Sequence, residues 1–162
     1  MGAAVAKVPS TPALRWLRAN NVDHQVHVYP YVERGGTKAS AAAFNVDEHV
    51  IIKTLIFEDN AKQPLIVLMH GDREVSTKAL ARAIGVRSVA PCAPATAQKH
   101  SGYRVGGTSP FAPKKSMPVY VQDGVTALPE VYVNGGARGV LVSLDPSVFV
   151  DALAAVTVDV AR

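Results

Sequence analysis

The sequence has a single cysteine, Cys92, among its 162 residues, and only 6% of them are aromatic. One cysteine excludes an internal disulfide, which is consistent with a reducing compartment. No apolar run approaches the roughly 20 residues of a membrane-spanning helix. The stretch from Met1 to Pro9 has one lysine and no sustained apolar run, so we expect no signal peptide. The sequence therefore predicts a soluble, cytoplasmic protein without a membrane partner.

The sequence also lacks any block of like charges that would mark an RNA-binding tail. Its apolar fraction of 48% and charged fraction of 19% are those of an ordinary globular protein. A chain of this length buries a core within one domain, so we expect a single domain over residues 1–162. The formal net charge of +4 permits a polyanionic partner without requiring one.

Several catalytic signatures are missing. Gly102 and Gly107 have the glycine spacing of a P-loop, but Thr108 stands in place of the lysine and Pro110 follows. The dinucleotide fingerprint and the serine-hydrolase elbow do not occur. Cys92 has no histidine partner that the sequence reveals, which indicates a structural thiol rather than a nucleophile. Three clustered metal ligands are not evident either, so no metal and no cofactor are predicted.

Short apolar segments alternate along the chain with segments of helical character. Strands are predicted at residues 24–31, 50–57, 64–70, 86–89, 117–122, 130–134 and 138–144. Helices are predicted after Pro12, at residues 38–44, 76–84 and 95–100, and after Pro146 with Val156 in the apolar stripe. This mixture favours an α+β fold or a mixed sheet that curls into a barrel.

Lys53 lies in the middle of the most apolar run of the chain, which β-branched residues dominate. On a strand its side chain shares a face with Ile51, Leu55 and Phe57. An ammonium group there is costly unless it is paired or meets an anionic ligand. The simpler alternative is that Lys53 extends to solvent from a strand that is less buried than its composition suggests. The cost of the charge favours Lys53 as a site residue.

A glycine- and proline-rich segment, residues 99–118, forms the second signal. Gly102, Gly106 and Gly107 allow positive φ angles, whereas three prolines exclude a regular helix or a central strand. Val105, Phe111 and Met117 interrupt the polar residues, which predicts an ordered loop that is either a connector or a ligand-binding loop. With Lys53 and a Gly135-Gly136 hairpin, this loop suits an anionic, carbonyl-containing ligand. Backbone amides at its glycines could form an oxyanion site.

An ordered set of short motifs resembles the YbaK family of free-standing aminoacyl-tRNA deacylases, which are related to the editing domain of bacterial prolyl-tRNA synthetases. The resemblance runs from about Thr11 to the C-terminal helix. It is carried by Thr11-Pro12-Ala13, Lys53-Thr54-Leu55, Gly102-Tyr103, the run from Gly106 to Pro110, Lys114-Lys115 and the run from Tyr132 to Gly139.

The resemblance implies a mixed β-barrel-like sheet flanked by helices, and hydrolysis of the ester that joins a wrong amino acid to tRNA. It also implies that no residue of the enzyme acts as a nucleophile: either the thiol of a cysteinyl substrate or an activated water attacks the ester. The most similar members remove Cys from tRNA(Pro), so mischarged tRNA, and prolyl-tRNA synthetase as a helper, are the implied partners. We expect a monomer or weak dimer.

The resemblance also implies roles for individual residues. Lys53 would hold the 3′-terminal adenosine of the tRNA and orient the ester. Gly106 and Gly107 would line the aminoacyl pocket as catalytic backbone donors. The residues expected to bind substrate are Tyr29, Thr108, Ser109, Asn134 and Gly135.

Two positions depart from the Cys-specific pattern of the family. Asn134 stands where those relatives usually have serine, and Leu141 lies near the position where they usually have an acidic residue. The acyl specificity is therefore open between Cys and another small residue such as Ala or Ser. A non-catalytic module that binds tRNA or the synthetase is the alternative from another functional class.

Overall fold

The structure, a computed structural model, describes residues 8–162. Residues 1–7, which hold most of the segment in which no signal peptide is expected, lie outside the described residues. The helices are α1 (Pro12–Ala19), α2 (Gly36–Phe44), α3 (Thr77–Ile84), α4 (Pro94–Ser101), α5 (Asp123–Thr126) and α6 (Ser147–Leu153). The strands are β1 (Gln25–Val28), β2 (Ile51–Asp59), β3 (Pro64–His70), β4 (Val89–Pro91), β5 (Val119–Gln122), β6 (Val131–Asn134), β7 (Val140–Leu144) and β8 (Val156–Val158).

The strands form one mixed sheet in the order β1-β7-β6-β2-β3-β5-β8, and β4 pairs with the distal end of β2. The pairing of β2 with β3 is antiparallel, whereas β2 with β6, β3 with β5 and β5 with β8 are parallel. The pairing path is open, with β1 and β8 at its ends. The predicted α+β class and the mixed sheet flanked by helices are confirmed.

The helix starts follow from local capping. Thr11 precedes Pro12 and its hydroxyl accepts a hydrogen bond from the Leu14 amide at 3.0 Å. Ser76 caps α3 in the same way, accepting from the Ala79 amide at 3.2 Å, and Gly85 ends that helix with a positive φ of 76°. Both helix starts and the end of α3 agree with the sequence prediction.

Strand β2 is buried on both faces, as its composition predicts. Ile52 and Ile56 pack into the large core between the sheet and helices α1, α4 and α6. Phe57 packs on the opposite face, in a second cluster with Leu80 of α3. The middle of β2, residues 53–55, is only partly buried, and this is where the strand borders a cavity.

The C-terminal part of the chain differs from the sequence prediction. Helix α6 ends at Leu153, because Ala154 adopts a left-handed conformation with φ of 53°. Val156, predicted in the apolar stripe of this helix, instead begins β8 and pairs with Tyr120 of β5. Leu153 and Val156 have the i,i+3 spacing of a helix face, so the sequence pattern does not separate β8 from α6.

Within residues 8–162, no helix has both the length and the apolar character needed to cross a bilayer.

Candidate active site

A cavity of about 600 Å³ lies beside the middle of β2, bounded by α2, by the loop after α4 and by the end of β6. Five of the residues singled out from the sequence line it together: Tyr29, Lys53, Gly106, Thr108 and Asn134. They come from separate parts of the chain, so the sheet pairing is what gathers them. A cavity of this size accommodates a small acyl group together with part of a nucleoside.

Lys53 projects into this cavity from β2. Its ammonium donates a hydrogen bond to the backbone carbonyl of Arg73, which leaves two further N–H groups for a ligand. Burial lowers the pKa of Lys53, while the nearby carboxylates of Glu74, Glu48 and Asp72 act in the opposite direction. The side chain is half-buried and lines the cavity, so Lys53 stays a candidate site residue.

Gly106 forms part of the opposite wall. Its φ is 91°, and a Cβ atom at this position would lie 2.7 Å from the Tyr31 hydroxyl. Glycine is therefore needed both for the backbone conformation and for the space. Its carbonyl accepts a hydrogen bond from the Asn134 side-chain amide at 3.0 Å. Among the described residues, no group accepts a hydrogen bond from the Gly106 N–H, and the residue lines the cavity.

Asn134 holds the glycine- and proline-rich segment of residues 99–118, here called the glycine loop, against the β6–β7 hairpin. While Nδ2 donates to Gly106, Oδ1 accepts from the Gly136 amide at 2.7 Å. Arg138 makes a second hydrogen bond between the hairpin and the loop: its Nε donates to the Val105 carbonyl at 2.9 Å. Asn134 therefore shapes the pocket wall indirectly, because its hydrogen bonds hold the backbone of Gly106 and Gly136 in place.

Three of the expected site residues do not line the cavity. The Gly107 amide donates to the Arg104 carbonyl at 2.8 Å, and a Cβ there would lie 2.9 Å from the Ala137 backbone. Ser109 is fully buried and its hydroxyl accepts from the Phe111 amide. Gly135 pairs with Val140 and accepts from the Thr11 hydroxyl. The contacts of these residues are with the protein itself, so they support the shape of the loop and hairpin.

Twenty other residues line the cavity, and the sequence did not indicate them as site residues; among them are Tyr31, Arg34, Thr54 and Cys92. Thr54 carries a buried hydroxyl with no hydrogen-bond partner among the described residues. The position of Thr54 directly after Lys53, within an apolar run, is the sequence feature that could have identified it as a site residue. Tyr31 lies under the Arg138 guanidinium, 5.0 Å from its ring centre, and nothing in the local sequence indicates this pairing.

The cavity combines two cations, Lys53 and Arg34, with the Gly106 backbone and an apolar wall. Such a site can bind an ester carbonyl and a neighbouring polar group.

Comparison with known proteins adds the decisive observation. The sequence profile described as "Aminoacyl-tRNA editing domain" matches residues 34–152, which is more than half of the chain. The chain belongs to the aminoacyl-tRNA editing domain family. It is therefore a hydrolase of the aminoacyl ester, and mischarged aminoacyl-tRNA is its substrate class. The resemblance to YbaK-type deacylases is confirmed.

Two curated relatives are similar in sequence. A candidate Cys-tRNA(Pro)/Cys-tRNA(Cys) deacylase, EbsC of Enterococcus faecalis, is 27% identical over 137 residues, covering 84% of each chain. A proline–tRNA ligase of Brachyspira hyodysenteriae is 25% identical over 92 residues. That match covers 57% of this chain but only 16% of the ligase, so the editing domain corresponds to a small part of the larger enzyme.

Solved structures share the fold. The crystal structure of a hypothetical protein superimposes with a TM-score of 0.86 at 26% identity, covering 93% of this chain and 99% of the other. A candidate trans-editing enzyme for prolyl-tRNA synthetase superimposes with a TM-score of 0.84 at 21% identity, covering 96% and 99%. The editing-domain fold thus extends over nearly the whole described chain.

Proposed function

We propose that this editing domain acts in trans on Cys-tRNA(Pro), removing cysteine that prolyl-tRNA synthetase has attached by mistake. The observation that carries the proposal is the similarity to EbsC, which extends over 84% of both chains. The partial match to a proline–tRNA ligase supports tRNA(Pro) as the tRNA and the synthetase as a partner.

In this proposal Lys53 and Gly106 are the catalytic residues. The two remaining N–H groups of the Lys53 ammonium bind the 3′-terminal adenosine and orient the ester. The Gly106 amide donates to the carbonyl oxygen as negative charge develops on it. Tyr29, Thr108 and Asn134 line the remaining wall and limit the acyl group to a small one.

The nucleophile comes from the substrate or from water. Cys92 is the one thiol that faces the cavity, but burial and the Glu58 carboxylate raise its pKa above the ordinary value. Its thiolate is therefore scarce at neutral pH, which makes it a poor nucleophile. In the proposed reaction the thiol of the cysteinyl substrate attacks the ester carbonyl, or a water does so, and the tRNA 3′-terminal ribose oxygen leaves.

A panel of Cys-, Ala- and Ser-tRNA(Pro) tests the proposal. We expect Cys-tRNA(Pro) to be hydrolysed fastest by the wild-type protein. If the substrate thiol attacks, the Ala and Ser esters are spared, whereas activated water would extend cleavage to them. A Cys92→Ala variant should retain the wild-type rate. Failure to hydrolyse Cys-tRNA(Pro) at all would contradict the proposed substrate.

Lys53→Ala removes the cation that β2 places in the cavity. We expect deacylation to fall by at least about 100-fold, as for other oriented charge contacts in a transition state. The thermal unfolding midpoint should stay near the wild-type value, because loss of a partly buried charge relieves desolvation. Lys78→Ala on α3 is the matched control and should leave the rate unchanged. Full activity in Lys53→Ala would exclude this role.

Two residues of this chain favour an acyl group other than cysteine. Leu141 lines the cavity near the position where Cys-specific relatives usually have an acidic residue, and Asn134 replaces their usual serine. These differences favour alanine as the alternative acyl group. Faster hydrolysis of Ala-tRNA(Pro) than of Cys-tRNA(Pro) in the same panel would select it.

A further inference from the structure

Three potential metal ligands from distant parts of the chain meet beside the cavity. One carboxylate oxygen of Glu58, one imidazole nitrogen of His100 and the Cys92 sulfur all lie within 4.8 Å of one another. His100 Nε2 and Glu58 Oε2 are 2.9 Å apart, and both side chains are largely shielded from solvent. The sequence does not reveal this cluster, because its three residues lie up to 42 positions apart.

Regular structure holds each of the three residues. Glu58 is on β2 and pairs with Ala90 of β4. Cys92 follows β4 directly, and its amide donates to the Ile56 carbonyl at 3.0 Å. His100 is in the last turn of α4, and its carbonyl accepts from the Lys115 amide at 3.0 Å. Since all three backbones are anchored, the ligand atoms stay close without a bound ion.

The donor set indicates the class of ion. One sulfur, one nitrogen and one carboxylate oxygen match the ligands of zinc, whereas Mg²⁺ and Ca²⁺ take oxygen ligands. A thiolate and a carboxylate carry two negative charges, which a divalent ion neutralises. Donor atoms in a tetrahedral zinc site are roughly 3–4 Å apart, so the three groups need to close by about 1 to 2 Å at most.

We propose that Glu58, Cys92 and His100 form a Zn²⁺-binding site in the wall of the cavity. Binding replaces the Cys92 S–H bond by an S–Zn bond, and the proton leaves to solvent. Three protein ligands leave one coordination position for water. Because Cys92 lines the cavity, a bound ion lies at the edge of the candidate active site. The proposal does not depend on which acyl group the enzyme removes.

A second cluster, His49, His70 and Asp72, serves as the internal comparison. Its two imidazole rings stack in parallel, with centres 3.7 Å apart and an angle of 6° between their planes. The nitrogen lone pairs lie in the ring planes, so two stacked rings cannot both point at one ion without rearrangement. The second cluster also contains no thiolate. It should therefore not reproduce the spectroscopic signature of the first.

Titration of the metal-stripped full-length protein with Zn²⁺ alone, and separately with Co²⁺ alone, tests the site. Calorimetry should give one Zn²⁺ per chain. The cobalt protein should show a thiolate-to-cobalt charge-transfer band in the near ultraviolet, which only a sulfur ligand produces. Affinity should fall as the pH is lowered, because the thiol and the imidazole must lose their protons.

Three variants remove one ligand each: Cys92→Ser, His100→Gln and Glu58→Gln. We expect Cys92→Ser to lose the cobalt band, and each variant to bind Zn²⁺ at least about tenfold more weakly, which is about 1.4 kcal/mol. His49→Gln should leave the band and the affinity unchanged. Circular dichroism identifies any variant that does not fold; Glu58→Gln, which keeps the shape of the side chain, then provides the test.

Two results would overturn the proposal. One is the absence of both stoichiometric zinc binding and the cobalt band in the wild-type protein. The other is zinc binding that survives Cys92→Ser and is lost in His49→Gln, which would move the site to the second cluster.

Discussion

Tyr103 ties the beginning of the glycine loop to its middle. Its side chain is 4% exposed, and its hydroxyl donates to the Phe111 carbonyl at 2.6 Å. Burial raises the pKa of Tyr103 from 10.0 to about 12. The native state thus retains this proton at a pH where the unfolded chain has lost it, so the residue stabilises the fold most below pH 10 and progressively less up to pH 12.

Tyr103→Phe tests this linkage. At pH 7 we expect a loss of about 1 to 2 kcal/mol in unfolding free energy, because the Phe111 carbonyl loses its donor. Above pH 10 the wild-type stability should fall more steeply than that of the variant, so that the two curves converge. Urea unfolding at pH 7, 10 and 11 measures both effects. A constant difference between the curves would contradict the raised pKa.

At the scale of elements, Thr11 joins the start of α1 to the β6–β7 hairpin. Its hydroxyl accepts from the Leu14 amide and donates to the Gly135 carbonyl at 2.6 Å. The cap and the hairpin are 124 residues apart in sequence. Asn134, which holds Gly106, directly precedes Gly135 in that hairpin, so the Thr11 hydrogen bond supports the cavity wall.

Thr11→Val keeps the side-chain shape and removes both hydrogen bonds. We expect it to lower the unfolding free energy by about 2 to 3 kcal/mol and to reduce deacylation, since the hairpin loses an anchor. Ser76→Ala, at the start of α3, is the matched control. It removes one cap bond at a residue that does not line the cavity, so it should cost about 1 kcal/mol and leave the deacylation rate unchanged. Equal effects of the two variants on activity would argue against the link.

At the scale of the whole molecule, the last seven residues belong to the packed structure, although the family match ends at residue 152. Strand β8 extends the sheet beside β5. Val160 is 1% exposed, and its amide donates to the Gln122 side chain at 2.7 Å. Its carbonyl accepts from the amide of Ser76, the residue that caps α3.

Deleting residues 156–162 removes this edge strand. We expect unfolding free energy to fall by at least about 3 kcal/mol, because burial of Val160 alone contributes about 1.5 to 3 kcal/mol and the strand pairing is lost as well. Val156→Thr is the control: its side chain is 56% exposed, and the change should stay within about 0.5 kcal/mol. Thermal and urea denaturation measure both. A truncated protein as stable as the wild type would show that the tail contributes no packing energy.

The sequence by itself determined the features that depend on neighbouring residues. Thr11-Pro12 predicts where α1 begins, and Ser76 with Gly85 predicts both ends of α3, because capping is a local interaction. The apolar run around Lys53 predicts a strand buried on both faces, because side-chain burial follows composition over a few residues. β8 could not be predicted from the sequence, because three strand residues after a helix show too little periodicity to distinguish a strand from a helix.

Only the tertiary structure decided which residues face the cavity. Gly106 and Gly107 are adjacent and chemically identical, yet the first lines the cavity and the second packs against the hairpin. Cys92 and His100 meet Glu58 because β4 pairs with β2 and α4 packs beside that strand. Such contacts depend on the register of distant segments, which no local pattern encodes.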